Sequence, residues 1–178
     1  MTGQIEQMQT EQPQAEQAQT EQPAQTAPAH DEFQAARIVH IRIQPDRAIV
    51  DVQVSPRAPA RTTPELAQRA AELRPDLPQH TCVNAPSRAG QARPLFSSVM
   101  DDTPLPHLLE HLVIDVLTQK WNEEVAHAAA AAPTFVGTSE WLDRSTRTAR
   151  IELSCPDDLL VLSAFREALH LLNLVVVG

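Results

Sequence analysis

The amino-acid sequence predicts an α+β fold, a two-layer sandwich in which helices cover one face of a mostly antiparallel four-stranded sheet. Two observations predict it. Two pairs of segments alternate apolar and polar residues with the period of a half-buried strand, and a polar turn joins the members of each pair. The segments between and after these pairs repeat their apolar residues at helical spacing instead. Hairpins separated by helices indicate one sheet layer and one helix layer.

Residues 1–35 precede the folded part and are interpreted as a disordered acidic tail. They are rich in Gln, Glu and Pro and contain neither Lys nor Arg. Because almost none of their side chains can bury apolar area, they cannot offset the entropy cost of becoming ordered. The repeated string QTEQP is too short and too polar to be a solenoid repeat. One folded domain is therefore expected over residues 36–178.

The folded part is predicted to begin with two strands joined by the turn QPDR, residues 44–47. The second strand alternates over residues 49–54. In the first strand, strict alternation predicts two sets of side chains on opposite faces, with Ile38, His40 and Arg42 on one and Val39, Ile41 and Ile43 on the other.

A short amphipathic helix follows the first hairpin. Thr63 can cap it, Pro64 suits its first position, and Pro75 stops it. The chain is then irregular over residues 76–102, which is longer than a plain connection in a compact domain needs. Loops of that length are often functional.

A second, longer helix is predicted to be capped by Thr103, with Pro104 in its first turn, and to run to about Glu124 or into the alanines that follow. Two strands around a polar turn follow, within residues 134–142 and 148–154. The chain closes with a helix capped by one of two acidic residues and then an apolar tail that suits a last strand; the candidate caps are Asp157 and Asp158.

Charge and composition exclude several classes of function. The formal net charge is −9, and the Arg residues form no basic stripe, so a nucleic-acid partner is not expected. No apolar run is judged long enough to cross a membrane, and the N-terminus lacks the features of a signal peptide, so a cytoplasmic location is expected. In that compartment the two cysteines, Cys82 and Cys155, are expected to be thiols.

The second helix carries the string H-x-x-E-H at His107, Glu110 and His111. At about 100° per residue these three side chains share one face of the helix with Asp115 and Thr118. Two imidazoles one turn apart suit a tetrahedral Zn²⁺, and the Glu beside them suits a general base, as in the inverted zincin motif. The alternative is that these residues are only the polar side of an ordinary amphipathic helix.

A catalytic zinc site needs a third protein ligand and an open position for water. Glu140 is preferred as that ligand, because a residue on a neighbouring strand can approach the metal from outside the helix. The other candidates all lie on the helix itself and are Asp115, Glu123 and Glu124.

Three strings of the chain, found in this order, resemble the N-terminal domain of cyanophycin synthetases over about residues 38–173. The first is a Pro-x-Leu-x-x-His-x-Cys loop, here Pro75, Leu77, His80 and Cys82. The second is the H-x-x-E-H helix, here with Asp115 after it. The third is an F-x-x-T-x-E strand, here Phe135, Thr138 and Glu140.

The resemblance implies a domain that holds a peptide-like polymer and, in some members, a metallopeptidase-like zinc site that trims it. It implies His107 and His111 as metal ligands, Glu110 as the base and Glu140 as the third ligand. Such domains normally precede ATP-dependent ligase domains. This chain has four Gly residues and no Gly-rich phosphate-binding loop, so no ATP-dependent ligation is expected from it.

The remaining candidates are interpreted as structural. His80 and Cys82 form an H-x-C pair that could bind metal, but Cys82 is interpreted as a small buried residue of a packed loop. Trp121 and Trp141 are interpreted as core anchors. The other histidines singled out have no partner visible in the sequence; they are His40, His127 and His170.

Two functions follow as expectations. The first is a zinc-dependent hydrolase that cleaves a peptide-like polymer such as cyanophycin. The alternative is a non-catalytic accessory module whose acidic surface binds an Arg-containing polymer or a polymer-synthesising enzyme.

Overall fold

A computed structural model describes residues 33–82, 94–125, 133–154 and 157–178. These residues form four strands and three α-helices, with three short 3₁₀ turns between the first two helices. The predicted α+β fold is confirmed. In chain order the elements are β1 (Ala36–Gln44), β2 (Arg47–Val54), α1 (Pro64–Leu73), α2 (Leu105–Val125), β3 (Gly137–Asp143), β4 (Thr148–Ser154) and α3 (Asp158–Val177).

The four strands form one open antiparallel sheet in the order β1-β2-β4-β3. The two hairpins therefore lie side by side, joined through β2 and β4. Helix α2 packs on β2, β3 and β4, while α3 packs on α2 and β1. The core lies between the sheet and these helices, and its fully buried members include Val50, Ile151, Leu112, Val116 and Phe165.

Helix α1 follows its sequence signals, but the start of α2 does not. The Thr63 side chain accepts a hydrogen bond from the backbone N–H of Leu66, and Pro64 opens α1. Helix α2 begins at Leu105, and the Thr103 hydroxyl contacts the imidazole of His107 rather than serving as the predicted cap. The prediction that Thr103 caps α2 is therefore wrong, because its hydroxyl contacts a side chain instead of a backbone N–H of the first turn.

Strict alternation in β1 is wrong, because the register shifts at a bulge between Ile38 and His40. Ile38 pairs with Val52 and Ile41 pairs with Val50. Both partners are buried on the helix-covered face, so Ile38 shares a face with Ile41 and not with His40. A bulge adds one residue to a strand, so the side chains before it point to the face opposite to the one that strict alternation assigns. The alternating pattern of the sequence does not show where such a bulge lies.

The predicted last strand is also wrong, because α3 continues to Val177. Asp157 caps it by accepting a hydrogen bond from the backbone N–H of Leu160. By length and composition alone α3 is apolar enough to cross a membrane, contrary to the expectation from the sequence. Its buried side chains recur at helical spacing and include Leu160, Ala164, Ala168, Leu172 and Val175.

The folded part begins earlier than residue 36. Ala35 is fully buried, and its backbone N–H donates a hydrogen bond of 2.6 Å to the side chain of Asn173. The Arg57 guanidinium lies 5.1 Å from the centre of the Phe33 ring. The predicted boundary of the tail is therefore too late by three residues. The prediction for residues 1–32 lies outside the described residues. The predictions for Cys155 and His127 also lie outside them.

Candidate metal centre

The polar face of α2 is buried. His107, Glu110, His111 and Asp115 are each between 3% and 7% exposed. Ionisable side chains are costly to bury unless hydrogen bonds, ion pairs or a metal compensate them. The face is therefore not the solvated side of an ordinary helix, which was the alternative interpretation of the H-x-x-E-H string.

A short pairing within the long loop covers this face. The backbone N–H of Cys82 donates to the carbonyl of Pro94 at 2.8 Å, and the N–H of Phe96 donates to the carbonyl of His80 at 2.7 Å. The pairing brings His80 and Cys82 against α2. Phe96 is fully buried, and its ring stacks on the His111 imidazole with 3.8 Å between centroids and 17° between planes.

Cys82, His107 and His111 form a buried cluster that could hold a metal ion. One ligand atom from each residue lies within 4.8 Å of the other two. The Cys82 Sγ to His107 Nε2 distance is 3.4 Å. Tetrahedral zinc with bonds of about 2.1 Å to nitrogen and about 2.3 Å to sulfur separates such ligands by about 3.6 Å. The Cys82–His107 pair is therefore close to the spacing that a bound metal requires, and His111 lies within 4.8 Å of both.

Cys82 is buried, as predicted, and it also belongs to the cluster that could hold a metal ion. It is 2% exposed, as expected for a packed loop residue, but its thiol faces an imidazole rather than only apolar side chains. The H-x-C spacing was the only local signal, and it did not indicate which helix the loop would contact.

The Thr103 hydroxyl orients the first histidine. Its oxygen lies 2.6 Å from Nδ1 of His107, while Nε2 of the same ring faces Cys82. Metal-binding histidines commonly use one nitrogen for the metal and the other for a hydrogen bond that fixes the ring. His107 already has that arrangement.

Burial keeps both histidines of the cluster neutral. It lowers the pKa of His107, and it is the main cause that lowers the pKa of His111 to about 3. A neutral imidazole has one nitrogen with a lone pair, and this is the form that binds a metal.

Glu110 lies beside the cluster and is held by strand β3. Burial raises its pKa to about 7, against a hydrogen bond of 2.6 Å that the Ser139 hydroxyl donates to Oε2. Gly137, two residues earlier on the same face of β3, leaves room for the carboxyl group. A carboxyl group with a pKa near neutrality is suited to proton transfer.

Glu140 is not brought to the cluster, and its prediction as the third ligand is wrong. Ser139 faces Glu110, and successive side chains of a strand point to opposite faces, so Glu140 points to the other side of the sheet. It is exposed and opposite Arg150 on β4. The one-residue offset between Ser139 and Glu140 decides which of them reaches α2.

The candidate ligands on the helix lie elsewhere too. Asp115 forms an ion pair with Arg74 and a contact with His80. Glu123 is exposed and bonds the side chain of Gln119, while the side chain of Glu124 lies outside the described residues.

A cavity of about 350 Å³ opens beside the cluster, and its walls include Cys82, Glu110, His111, Ile114 and Phe135. This volume is at the lower end of the range found for small-ligand sites. It gives a bound metal an open side.

Neither a protein-family model nor a curated protein matches this chain. The resemblance to the N-terminal domain of cyanophycin synthetases therefore stays a prediction.

Proposed function

We propose that this protein is a zinc-dependent hydrolase whose metal is held by Cys82, His107 and His111. The observation that carries the proposal is the convergence of one thiol and two neutral imidazoles beside a cavity that Glu110 also lines. Three protein ligands and an open position are the arrangement of catalytic rather than structural zinc sites. A cytoplasmic location is part of the proposal.

The donor set favours zinc among the common metals. A thiolate and two imidazoles are soft or borderline ligands, whereas Mg²⁺ and Ca²⁺ take oxygen ligands. Zinc would act as a Lewis acid and lower the pKa of a water molecule at the open position. Cys82 would bind as the thiolate, so metal uptake would release a proton.

Glu110 is proposed as the catalytic acid and base. With a pKa of about 7, its carboxyl group is present in both protonation states at neutral pH. As the carboxylate it accepts a proton from the attacking water, and as the acid it then donates that proton to the leaving amine. The hydrogen bond from Ser139 fixes Oε2 during both steps.

A peptide-like polymer such as cyanophycin is proposed as the substrate, on the strength of the three resembling strings. The cavity volume suits one substrate side chain or a chain end, and the remainder of a polymer would lie outside it. Metalloproteases hydrolyse amide bonds with a zinc site and an adjacent Glu as the general base.

Non-catalytic binding of an Arg-containing polymer, or of a polymer-synthesising enzyme, is the second candidate. The observation that favours it is the charge distribution. Residues 1–32 hold six acidic residues and no Lys or Arg, a net −6 of the total −9, which leaves −3 for residues 33–178. An acidic attraction for a cationic polymer would therefore come mainly from the N-terminal segment and would weaken with salt.

Metal analysis of the purified full chain tests the first candidate. We expect close to one equivalent of zinc in the wild type and in Glu110→Gln, and a loss of most of it in Cys82→Ala and His111→Ala. The matched control is Glu140→Gln, which should keep its zinc because Glu140 faces away from the cluster. The proposal fails if the wild type takes up less than about a tenth of an equivalent when zinc is supplied.

Activity then separates catalysis from metal binding. Wild-type protein should hydrolyse cyanophycin or Arg-containing peptides, whereas Glu110→Gln should bind zinc and lose at least about 100-fold in rate, the usual effect of removing a general base. Full activity in that variant would remove Glu110 from the mechanism. Salt-dependent polymer binding without hydrolysis, lost when residues 1–32 are deleted, would support the accessory role instead.

A further inference from the structure

His80 lies next to the three-ligand cluster with both ring nitrogens engaged. Its Nδ1 is 3.5 Å from Nδ1 of His111, and its Nε2 is 3.2 Å from a carboxylate oxygen of Asp115. His80 comes from the loop that also supplies Cys82, whereas His111 and Asp115 are one turn apart on α2. The three side chains therefore form a continuous line of hydrogen bonds that ends at a proposed metal ligand.

Asp115 is held in place from its other side. Arg74 donates through Nε to the second carboxylate oxygen of Asp115 and through a terminal nitrogen to Gln119 at 2.7 Å. Asp115 is 7% exposed, so its charge is largely shielded from water and depends on these partners. Arg74 is therefore the last residue of this hydrogen-bonded line, on the side of Asp115 away from His80.

The donor and acceptor rules assign the protons along this line. A carboxylate only accepts, so Nε2 of His80 must carry the proton that it donates to Asp115. In a neutral ring Nδ1 of His80 is then an acceptor, and it accepts from Nδ1–H of His111. The same rule leaves Nε2 of His111 without a proton, as a lone pair available to a metal.

We propose that Asp115 and His80 are positioning residues that hold His111 in the tautomer and ring orientation needed to bind the metal through Nε2. The proposal rests on the proposed function, since it assigns how one of its three ligands is prepared. Thr103 performs the corresponding task for His107 with a single hydroxyl. His111 instead uses a relay of an imidazole and a carboxylate anchored by Arg74.

Zinc affinity of the full chain measures this role, by competition against a chromogenic chelator. Partners of this kind are worth about 10–100-fold in metal affinity. We expect Asp115→Asn and His80→Leu each to weaken zinc binding within that range. His80→Gln should recover most of the affinity, because its amide N–H can donate to Asp115 and its amide oxygen can accept from His111.

The matched control is His40→Leu. His40 also lies near a carboxylate, with 3.8 Å from Nδ1 to Asp51, but on the sheet face away from the cluster. This variant should bind zinc as the wild type does. Equal zinc affinity in the wild type, His80→Leu and Asp115→Asn would overturn the relay while leaving the three-ligand site intact.

Cobalt substitution distinguishes a positioning residue from a fourth ligand. The visible bands of Co²⁺ report its coordination, and at saturating Co²⁺ we expect the same spectrum in the wild type and in His80→Leu. A change in band position or intensity in that variant would identify His80 as a ligand and overturn its positioning role.

The tautomer can be read without any metal. Long-range ¹H–¹⁵N NMR correlation of the metal-free chain should show His111 protonated at Nδ1, with a loss of that preference in His80→Leu. Protonation at Nε2 in the wild type would contradict the relay directly. If the wild type has the expected tautomer but takes up no zinc or cobalt, the proposed hydrolase function fails while the hydrogen-bond assignment stands.

Discussion

Gly137 lies so close to Glu110 that a Cβ atom on Gly137 would be 2.9 Å from Oε1 and 3.0 Å from Cγ of that side chain. The same Cβ would lie 2.7 Å from Cδ2 of Leu153, a buried residue of β4. Gly137 therefore contributes space rather than backbone freedom. The buried carboxyl group occupies the position that a larger residue on β3 would take.

Gly137→Ala is expected to displace Glu110 and to lower hydrolysis at least about 10-fold, since small misplacements of catalytic groups cost large factors in rate. Overpacking at this site should also cost about 1–3 kcal/mol in the free energy of unfolding. Kinetics and denaturant unfolding measure the two effects. The zinc content should not change, because Glu110 is not a proposed ligand. Thr138→Ala, on the opposite face of β3, is the control that should leave both quantities near wild type.

Zinc removal is expected to expose the Cys82 thiol chemically. A metal-bound thiolate is protected, whereas the metal-free thiol becomes available when the loop opens. Alkylation by iodoacetamide, followed by mass spectrometry, should therefore modify Cys82 faster after treatment with a chelator. The same rate of Cys82 modification with and without zinc would contradict its assignment as a ligand.

The metal should also stabilise the fold. A ligand that binds only the native state adds about 2.7 kcal/mol at 100 times its Kd. We expect the melting temperature of the wild type to rise with added zinc and that of Cys82→Ala to stay constant. Calorimetry at several zinc concentrations measures the melting temperature. A rise of the same size in Cys82→Ala would show that the stabilising zinc binds at a site that does not include Cys82.

Phe96→Ala is expected to destabilise the protein by about 3–5 kcal/mol, as for other large buried aromatic residues. Phe96 is fully buried and stacks on the His111 ring, so its loss should also free that ring. Phe96→Leu should recover much of the stability, because it refills most of the volume, but not the zinc affinity. Denaturant unfolding and chelator competition measure the two separately, and full zinc affinity in both variants would show that the stacking contact is dispensable for metal binding.

Acid should weaken the contribution of Asp51. The hydrogen bond and charge of Arg150 hold the pKa of this carboxyl group below its usual value, despite some desolvation. A carboxyl group whose pKa is lower in the folded state stabilises the protein at any pH above its unfolded-state pKa, which is near 4. This stabilisation disappears as the pH falls through the lower pKa of the folded state. Asp51→Asn should therefore lower the stability most at pH 6–7, and progressively less as the pH falls below the unfolded-state pKa. Denaturant unfolding across that range measures it; a difference independent of pH would contradict the ion pair.

Local signals in the sequence determined the types of the elements and several of their ends. Thr63 caps α1 as predicted, and Asp157, one of the two predicted candidates, caps α3, because each side chain accepts from a backbone N–H three residues further on. The spacing of His107, Glu110 and His111 placed them on one face of α2, since helical geometry alone decides it.

Contacts between distant segments decided the composition of the site. Cys82 precedes His107 by 25 residues and reaches it only through the pairing of the loop with itself over α2. Ser139 rather than Glu140 faces Glu110 because the pairing of β3 with β4 and its packing on α2 choose which alternate side chains point inward. An alternating pattern defines the two faces of a strand, but only tertiary packing decides which face is buried. Here packing buries the face with the hydrogen-bond donor Ser139 and leaves the predicted metal ligand Glu140 on the exposed face.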